Sequence, residues 1–271
     1  MMLERNTIKQ ESKRLMAVSQ PAAWLVTLVY LISTSWVSNA AELLNPTAQA
    51  LSELNVRLQN AYLAMDESGV EAVMLSLQQM MQKPSFFATV LAGVVLALYA
   101  IVVEFGYLSY ALQVTRGEES GYRELFSRFY MAGKIIAAVL LMGLFVGLWS
   151  ILFILPGIIA AYRYRMVPFL LLDDPELSVW KAIQRSKEMM QGRKMELFSL
   201  DLSFLPWFLG EYLLANGVYA LAGGRIGLVL GLAVSTACYL YLLPYLQFTY
   251  AQWYQAVYTE TGLSQTPAQG Q

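Results

Sequence analysis

The chain is 271 residues long, 57% hydrophobic and 14% charged, with a formal net charge of −1, whereas soluble domains average about 45–50% apolar and about 25% charged residues. With a mean hydropathy of +0.48, that excess excludes an ordinary water-soluble domain and predicts a lipid-embedded protein. The absence of histidine and the single cysteine, Cys238, remove His-based triads, most zinc and haem sites and disulfide frameworks.

Residues 1–20 are polar, carry Arg5, Lys9, Lys13 and Arg14, and lead through Pro21 into an apolar run over 22–41. That run exceeds the roughly 7–15 apolar residues of a secretory signal and reads as a retained first span. From 42 to 84 the apolar residues thin to helical spacing: Leu51, Leu54, Leu58, Ala61 and Met65, then Val70, Val73, Met74, Leu77 and Met81. This predicts two amphipathic helices in an extracytoplasmic hairpin. Asn45 with Pro46 supplies an N-cap and a first-turn proline, Ser68 with Glu71 has capping-box spacing, Gly69 marks the break and Pro84 closes the second helix.

Five further apolar runs follow, at 86–112, 135–155, 158–172, 197–222 and 226–248. The first is longer than the roughly 20 residues a bilayer requires, so its end projects as a helical extension. Pro156-Gly157 is expected to break the helix before the short fourth run, which spans with help from snorkelling or local thinning. Asp174, Pro175 and Gly192 bracket a helix over 175–191, with Val179, Ile183 and Met190 beside Trp180 and with Lys181, Arg185 and Glu188 opposite. That is the pattern of a helix lying in the interface. Residues 259–271 read as a disordered tail. The expected architecture is therefore all-α: one polytopic transmembrane bundle of six spans over 21–258, an extracytoplasmic hairpin and a cytoplasmic interfacial helix.

Orientation follows from the bias of Lys and Arg towards cytoplasmic connections. Thirteen fall on one side (the N-terminus, 116–134 and 181–194) and three on the other (Arg57, Lys83 and Arg225). Both termini are expected in the cytoplasm. The two basic residues left over, Arg163 and Arg165, sit inside an apolar run.

A charge at mid-bilayer costs at least about 2.5–3.5 kcal/mol, so intramembrane ionisable groups are candidates for function. Here they are Arg163, Arg165, Glu104, Asp201 and Glu211. The two arginines point to different faces of one helix, and Glu104 or Asp201 could pair with one of them. Gly143 with Gly147, and Gly223 with Gly227 and Gly231, have four-residue spacing that lets helices approach closely. Tyr241, Tyr245, Tyr250, Tyr254 and Tyr258 form a stripe expected to anchor the last span at the interface. Lys181, Arg185, Lys187, Arg193 and Lys194 would meet anionic lipid on the cytoplasmic leaflet. Asp173 and Asp174, whose adjacent side chains diverge, read as a helix cap rather than a metal site. No phosphate loop, dinucleotide fingerprint, nucleophile elbow or metal loop occurs in the sequence. The residues thus imply no enzyme, no cofactor and no nucleic-acid partner. The leading expectation is a protein acting by association with membrane lipids, other membrane proteins or a second copy of itself. Its rival is a transporter or export accessory with a polar path at the arginines and carboxylates.

Several features after residue 105 occur together in order. They are Pro156-Gly157-Ile158-Ile159, the Tyr-rich stretch before Pro168, Asp173-Asp174-Pro175, Ala182-Ile183 with Ser186, Met189-Met190 before Gly192, and Leu200-Asp201-Leu202-Ser203-Phe204, followed by Pro244-Tyr245, Thr249 and Trp253-Tyr254. In these the chain resembles the bacterial integral-membrane family catalogued as domain of unknown function 975. It departs from that pattern at Arg193-Lys194, at Pro206 and at Gly223-Gly224-Arg225, and the hairpin lies outside the likeness. A weaker resemblance is to the membrane portion of some glycerophosphodiester phosphodiesterases. The family resemblance implies a multi-pass protein of the bacterial cytoplasmic membrane with no established activity and no assigned catalytic residues.

Overall fold

A computed structural model describes residues 5–38 and 44–261, and every regular element among them is helical. The end of the first expected span, at 39–41, and the tail from 262 lie outside the described residues. The chain divides into two compact units, residues 31–101 and the remainder.

In the 31–101 unit a π-helical turn, Ile32–Trp36, precedes α3 (Pro46–Leu63) and α4 (Glu67–Met81), which form the expected hairpin, and then the first part of α5 (Pro84–Thr115). Asn45 caps α3 as read from sequence: its side-chain oxygen accepts from the amides of Thr47 at 3.0 Å and Ala48 at 3.3 Å. Its amide nitrogen also donates to Thr89 Oγ1 on α5 at 3.0 Å, so one residue both starts the helix and ties it down. The second cap differs from expectation. Asp66, not Ser68, caps α4, accepting from the Gly69 amide at 3.0 Å and the Ser68 hydroxyl at 2.7 Å. Those two bonds hold its carboxyl below the usual carboxylate range, so the cap is in place at neutral pH and weakens as pH falls through that lowered value. Gly69 lies within α4, the reversal falling instead at Met65 with φ +52. Pro84 opens α5 rather than closing α4, because a proline is best tolerated in a helix's first turn.

The larger unit contains α1 (Arg5–Val18), α2 (Ala23–Leu31), the second part of α5, a 3₁₀ helix (Tyr122–Met131) and α6 (Ala132–Leu152). After these come α7 (Ile154–Tyr164), α8 (Val167–Asp173), α9 (Val179–Met189), α10 (Lys194–Leu202), α11 (Leu205–Ala222) and α12 (Gly224–Glu260). Five stretches are long and apolar enough to cross a membrane: Pro84–Thr115, Tyr122–Leu152, Ile154–Asp173, Lys194–Ala222 and Val229–Glu260. The first expected span qualifies only as a bent pair, Arg5–Val18 with Ala23–Ser35 at 86°. On α6, Leu140, Leu144, Leu148 and Ile151 leave 65%, 57%, 51% and 84% of their surface open. Such a stripe fits a lipid solvent and would be an aggregation site in water.

Two other boundaries and the role of the tyrosines depart from the sequence reading. The break between α6 and α7 falls at extended Phe153 (φ −159, ψ 147), and Pro156 and Gly157 sit inside the first turn of α7. The interfacial helix is shorter than 175–191. Asp174 Oδ1 takes the amides of Glu176 at 3.2 Å and Leu177 at 3.1 Å for its own turn, and Ser178 then caps Val179–Met189. The tyrosine stripe is core rather than anchor. Tyr245, Tyr250 and Tyr254 are buried, Tyr245 against Phe204 and Tyr254 stacked on Phe169 at 5.0 Å, and only Tyr241 stays open.

The core lies where α5, α8, α9 and α12 contribute Val102–Val114, Met166–Leu172, Ala182–Met189 and Leu242–Val257. A close approach of backbone to backbone occurs at Gly106, where an added Cβ would collide with the Leu125 carbonyl. At Gly143 nothing lies within 4 Å. Gly106→Val should therefore cost about 3 kcal/mol and lower the melting temperature in detergent, while Gly143→Val should leave it unchanged. Equal melting temperatures for the two variants would contradict this packing.

Candidate functional site

The segment α7–α8, long and apolar enough to cross a membrane, is interrupted at Arg165 and Met166, and an interrupted helix strands backbone groups that lipid could not satisfy. Ser186 on α9 meets both. Its hydroxyl donates to the Arg163 carbonyl at 2.8 Å and accepts from the Met166 amide at 3.3 Å, and its side chain is fully buried. The two arginines flank this sealed break and lead to different surroundings.

Arg165 joins a polar cluster. Its guanidinium lies over the Tyr250 ring at 4.7 Å. The Tyr250 hydroxyl donates to Asp201 Oδ1 at 2.7 Å, and the Tyr162 hydroxyl to Asp201 Oδ2 at 2.7 Å. Glu104 on α5 has Arg165 as its cationic neighbour. Of the five ionisable residues singled out in the sequence, Arg165 and Asp201 are thus joined through Tyr250, with Glu104 beside Arg165. Asp201 is partly buried, while Glu104 and Arg165 keep exposed side chains at the edge of the cluster.

Arg163 leads elsewhere. With Ile159, Lys187, Glu188, Gln191 and Lys194 it lines a groove of about 320 Å³. Glu211 is separate again. It is buried, accepts from Ser235 Oγ at 2.6 Å and is joined by no ion pair among the described residues.

The glycines also sort into different roles. Gly227 and Gly231 let α12 approach the carbonyls of Tyr219 and Ala215 on α11, where a Cβ would lie 2.6 and 3.1 Å away. Gly223, at φ +63, ends α11 instead of packing against it. Gly143 and Gly147 face open space.

The basic residues assigned to one lipid-facing helix divide in the same way. Arg185 pairs with Asp174 at 3.7 Å and Arg193 with Glu260 at 2.8 Å. Lys181, Lys187 and Lys194 have no carboxylate partner among the described residues, and Lys187 sits over the rings of Tyr164 and Trp180 at 5.7 and 5.8 Å.

Two polar centres escaped the sequence reading. Asp173 pairs with Arg116 at 2.7 Å and accepts from the Tyr254 hydroxyl at 2.6 Å. Glu124 gathers Arg128 at 2.6 Å, Ser109 at 2.6 Å and Gln113 at 3.1 Å. The four-residue recurrence of Tyr250, Tyr254 and Tyr258 was the available signal for the first, since buried tyrosine hydroxyls need acceptors. No group of metal-ligating side chains occurs among the described residues.

Residues 153–261, from the start of α7 to the end of α12, match the family described as "Protein of unknown function (DUF975)". The resemblance read from Pro156-Gly157 onward is therefore real over that region. It covers both the Arg165 cluster, except for Glu104, and the Arg163 groove. No curated protein and no solved structure matches the chain.

The Asp201 cluster can be dissected in detergent by equilibrium unfolding. Tyr162→Phe and Tyr250→Phe should each cost about 0.5–1.5 kcal/mol, whereas Asp201→Leu strands both hydroxyls at about 1–3 kcal/mol each. Replacing all three should recover part of that loss. Strict additivity of the single changes would show that the three side chains do not act as a unit.

Proposed function

We propose that this is a non-enzymatic, multi-pass membrane protein with both termini in the cytoplasm, acting through association with anionic lipid at the cytoplasmic leaflet. The observation that carries this reading is the sorting of its charges. Asp201 already spends both oxygens on tyrosines, and Arg165 rests on one of those rings, which supports a bundle-holding part for them over a transport path. On the α9–α10 side, Lys181, Lys187 and Lys194 have no carboxylate partner among the described residues, and Trp180 is 51% exposed beside them. Unpaired cations with an interfacial tryptophan are what an anionic leaflet attracts, at about 1 kcal/mol for each Lys or Arg near the surface. The bacterial plasma membrane is the location the family resemblance supports.

Orientation is checked by reporters inserted after residues 60 and 188, which should report opposite sides of the membrane. The same side for both would contradict the proposed topology. The association itself is read from nanodiscs of phosphatidylcholine with a minor fraction of phosphatidylglycerol. Phosphatidylglycerol should be enriched several-fold around the protein, and less so at high salt. Equal proportions of the two lipids around the protein would refute the reading.

A further inference from the structure

We infer that the groove between α7, α9 and α10 is a binding site for the phosphate headgroup of a single anionic phospholipid, whose acyl chain lies along α7. The inference rests on the association reading above and narrows it to one place and one ligand class.

The groove holds three cations, Arg163, Lys187 and Lys194, and one carboxylate, Glu188. Among the described residues none of the four takes part in an ion pair, although six other pairs form there. Three cations around one cavity outnumber its single carboxylate, and an anion relieves that excess positive charge. A phosphate diester suits the set, because a guanidinium can offer it two parallel N–H donors while each ammonium acts as a point charge. Two of the cations are also held in place. Arg163 is fixed at its backbone by Ser186 and Lys187 lies over the Tyr164 and Trp180 rings, while Lys194 opens α10, whose positive dipole end disfavours a cation there and favours an anion beside it. Gln191 adds a neutral donor at the rim.

The apolar half of the ligand is read from α7 itself. Leu155, Ile159 and Arg163 recur every four residues and so share one face. Leu155 and Ile159 are 72% and 51% exposed, and Ile159 also lines the groove. That face runs from open aliphatic surface, within a segment apolar enough to span a membrane, directly to the guanidinium. A soluble phosphate would use only the charged end, whereas a phospholipid would use the whole face.

The test counts phosphatidylglycerol bound to the full-length purified protein by native mass spectrometry after release from mixed nanodiscs. Variants accepted for comparison melt at the parent temperature, a condition Arg163→Gln should meet because its side chain makes no intramolecular bond among the described residues. Arg163→Gln or Lys187→Gln should lower retained phosphatidylglycerol about fivefold, and the double variant roughly twentyfold. Arg14→Gln, on α1 and already paired with Glu11, should leave it unchanged, and Arg163→Lys should retain more than Arg163→Gln. Undiminished retention in the double variant would overturn the site while leaving the general anionic preference standing. Absence of that preference in the parent protein would overturn both. Displacement of the retained lipid by millimolar inorganic phosphate would overturn the lipid assignment in favour of a soluble phosphate ligand.

Discussion

The hydroxyl of Ser186 is the contact on which the larger unit turns. A helix interrupted inside lipid cannot leave its carbonyls and amides to water, and this chain interrupts one at Arg165 and Met166. By accepting from the Met166 amide and donating to the Arg163 carbonyl, Ser186 makes the break permissible and fastens α9 across α7 and α8. Everything polar in the region then has a defined side. Arg165 is carried towards α5 and α12, and Arg163 towards α9 and α10.

That division resolves the energetic difficulty of two arginines two residues apart in an apolar segment. Each needs a different form of relief. Arg165 obtains it within the chain, from the Tyr250 ring, whose hydroxyl is held by Asp201, and from the neighbouring charge of Glu104. Arg163 lies at a groove that also holds Lys187 and Lys194 against the single carboxylate of Glu188, an excess of positive charge that the proposed phospholipid headgroup would balance. The first arrangement holds a bundle together and the second recruits an anion, so one structural device serves both architecture and association.

Much of this was legible in the sequence because membrane spans obey a blunt rule: backbone groups must be satisfied internally, so long apolar runs are helices. The runs after 86 and 135 appear as helices near their expected limits, the run after 197 is divided at Ser203 and Phe204, the run after 226 continues to Glu260, and the Asn45-Pro46 cap was fully readable. What was not legible depended on competition between equivalent local signals. Asp66, Ser68 and Gly69 all lie where the second hairpin helix begins, and the carboxylate wins because it alone accepts from both neighbours. Asp174 resembles a helix cap but uses its oxygen within a single turn. Tyrosines every four residues suit an interfacial belt or a hydroxyl-lined core equally well, and only the positions of Asp173 and Asp201 on other helices decide between them. For the arginines, the sequence suggested divergent faces and acidic partners. That Arg163 would meet lysines instead required the fold of α9 over α7.

The central claim is that the two arginines have separate roles, and it is tested most directly by measuring thermal stability and retained anionic phospholipid together in Arg163→Leu and Arg165→Leu. The account predicts a crossed result. Arg165→Leu lowers the melting temperature and retains the lipid, while Arg163→Leu loses the lipid and melts with the parent protein. Parallel loss of both properties in both variants, or lipid loss confined to Arg165→Leu, would contradict it.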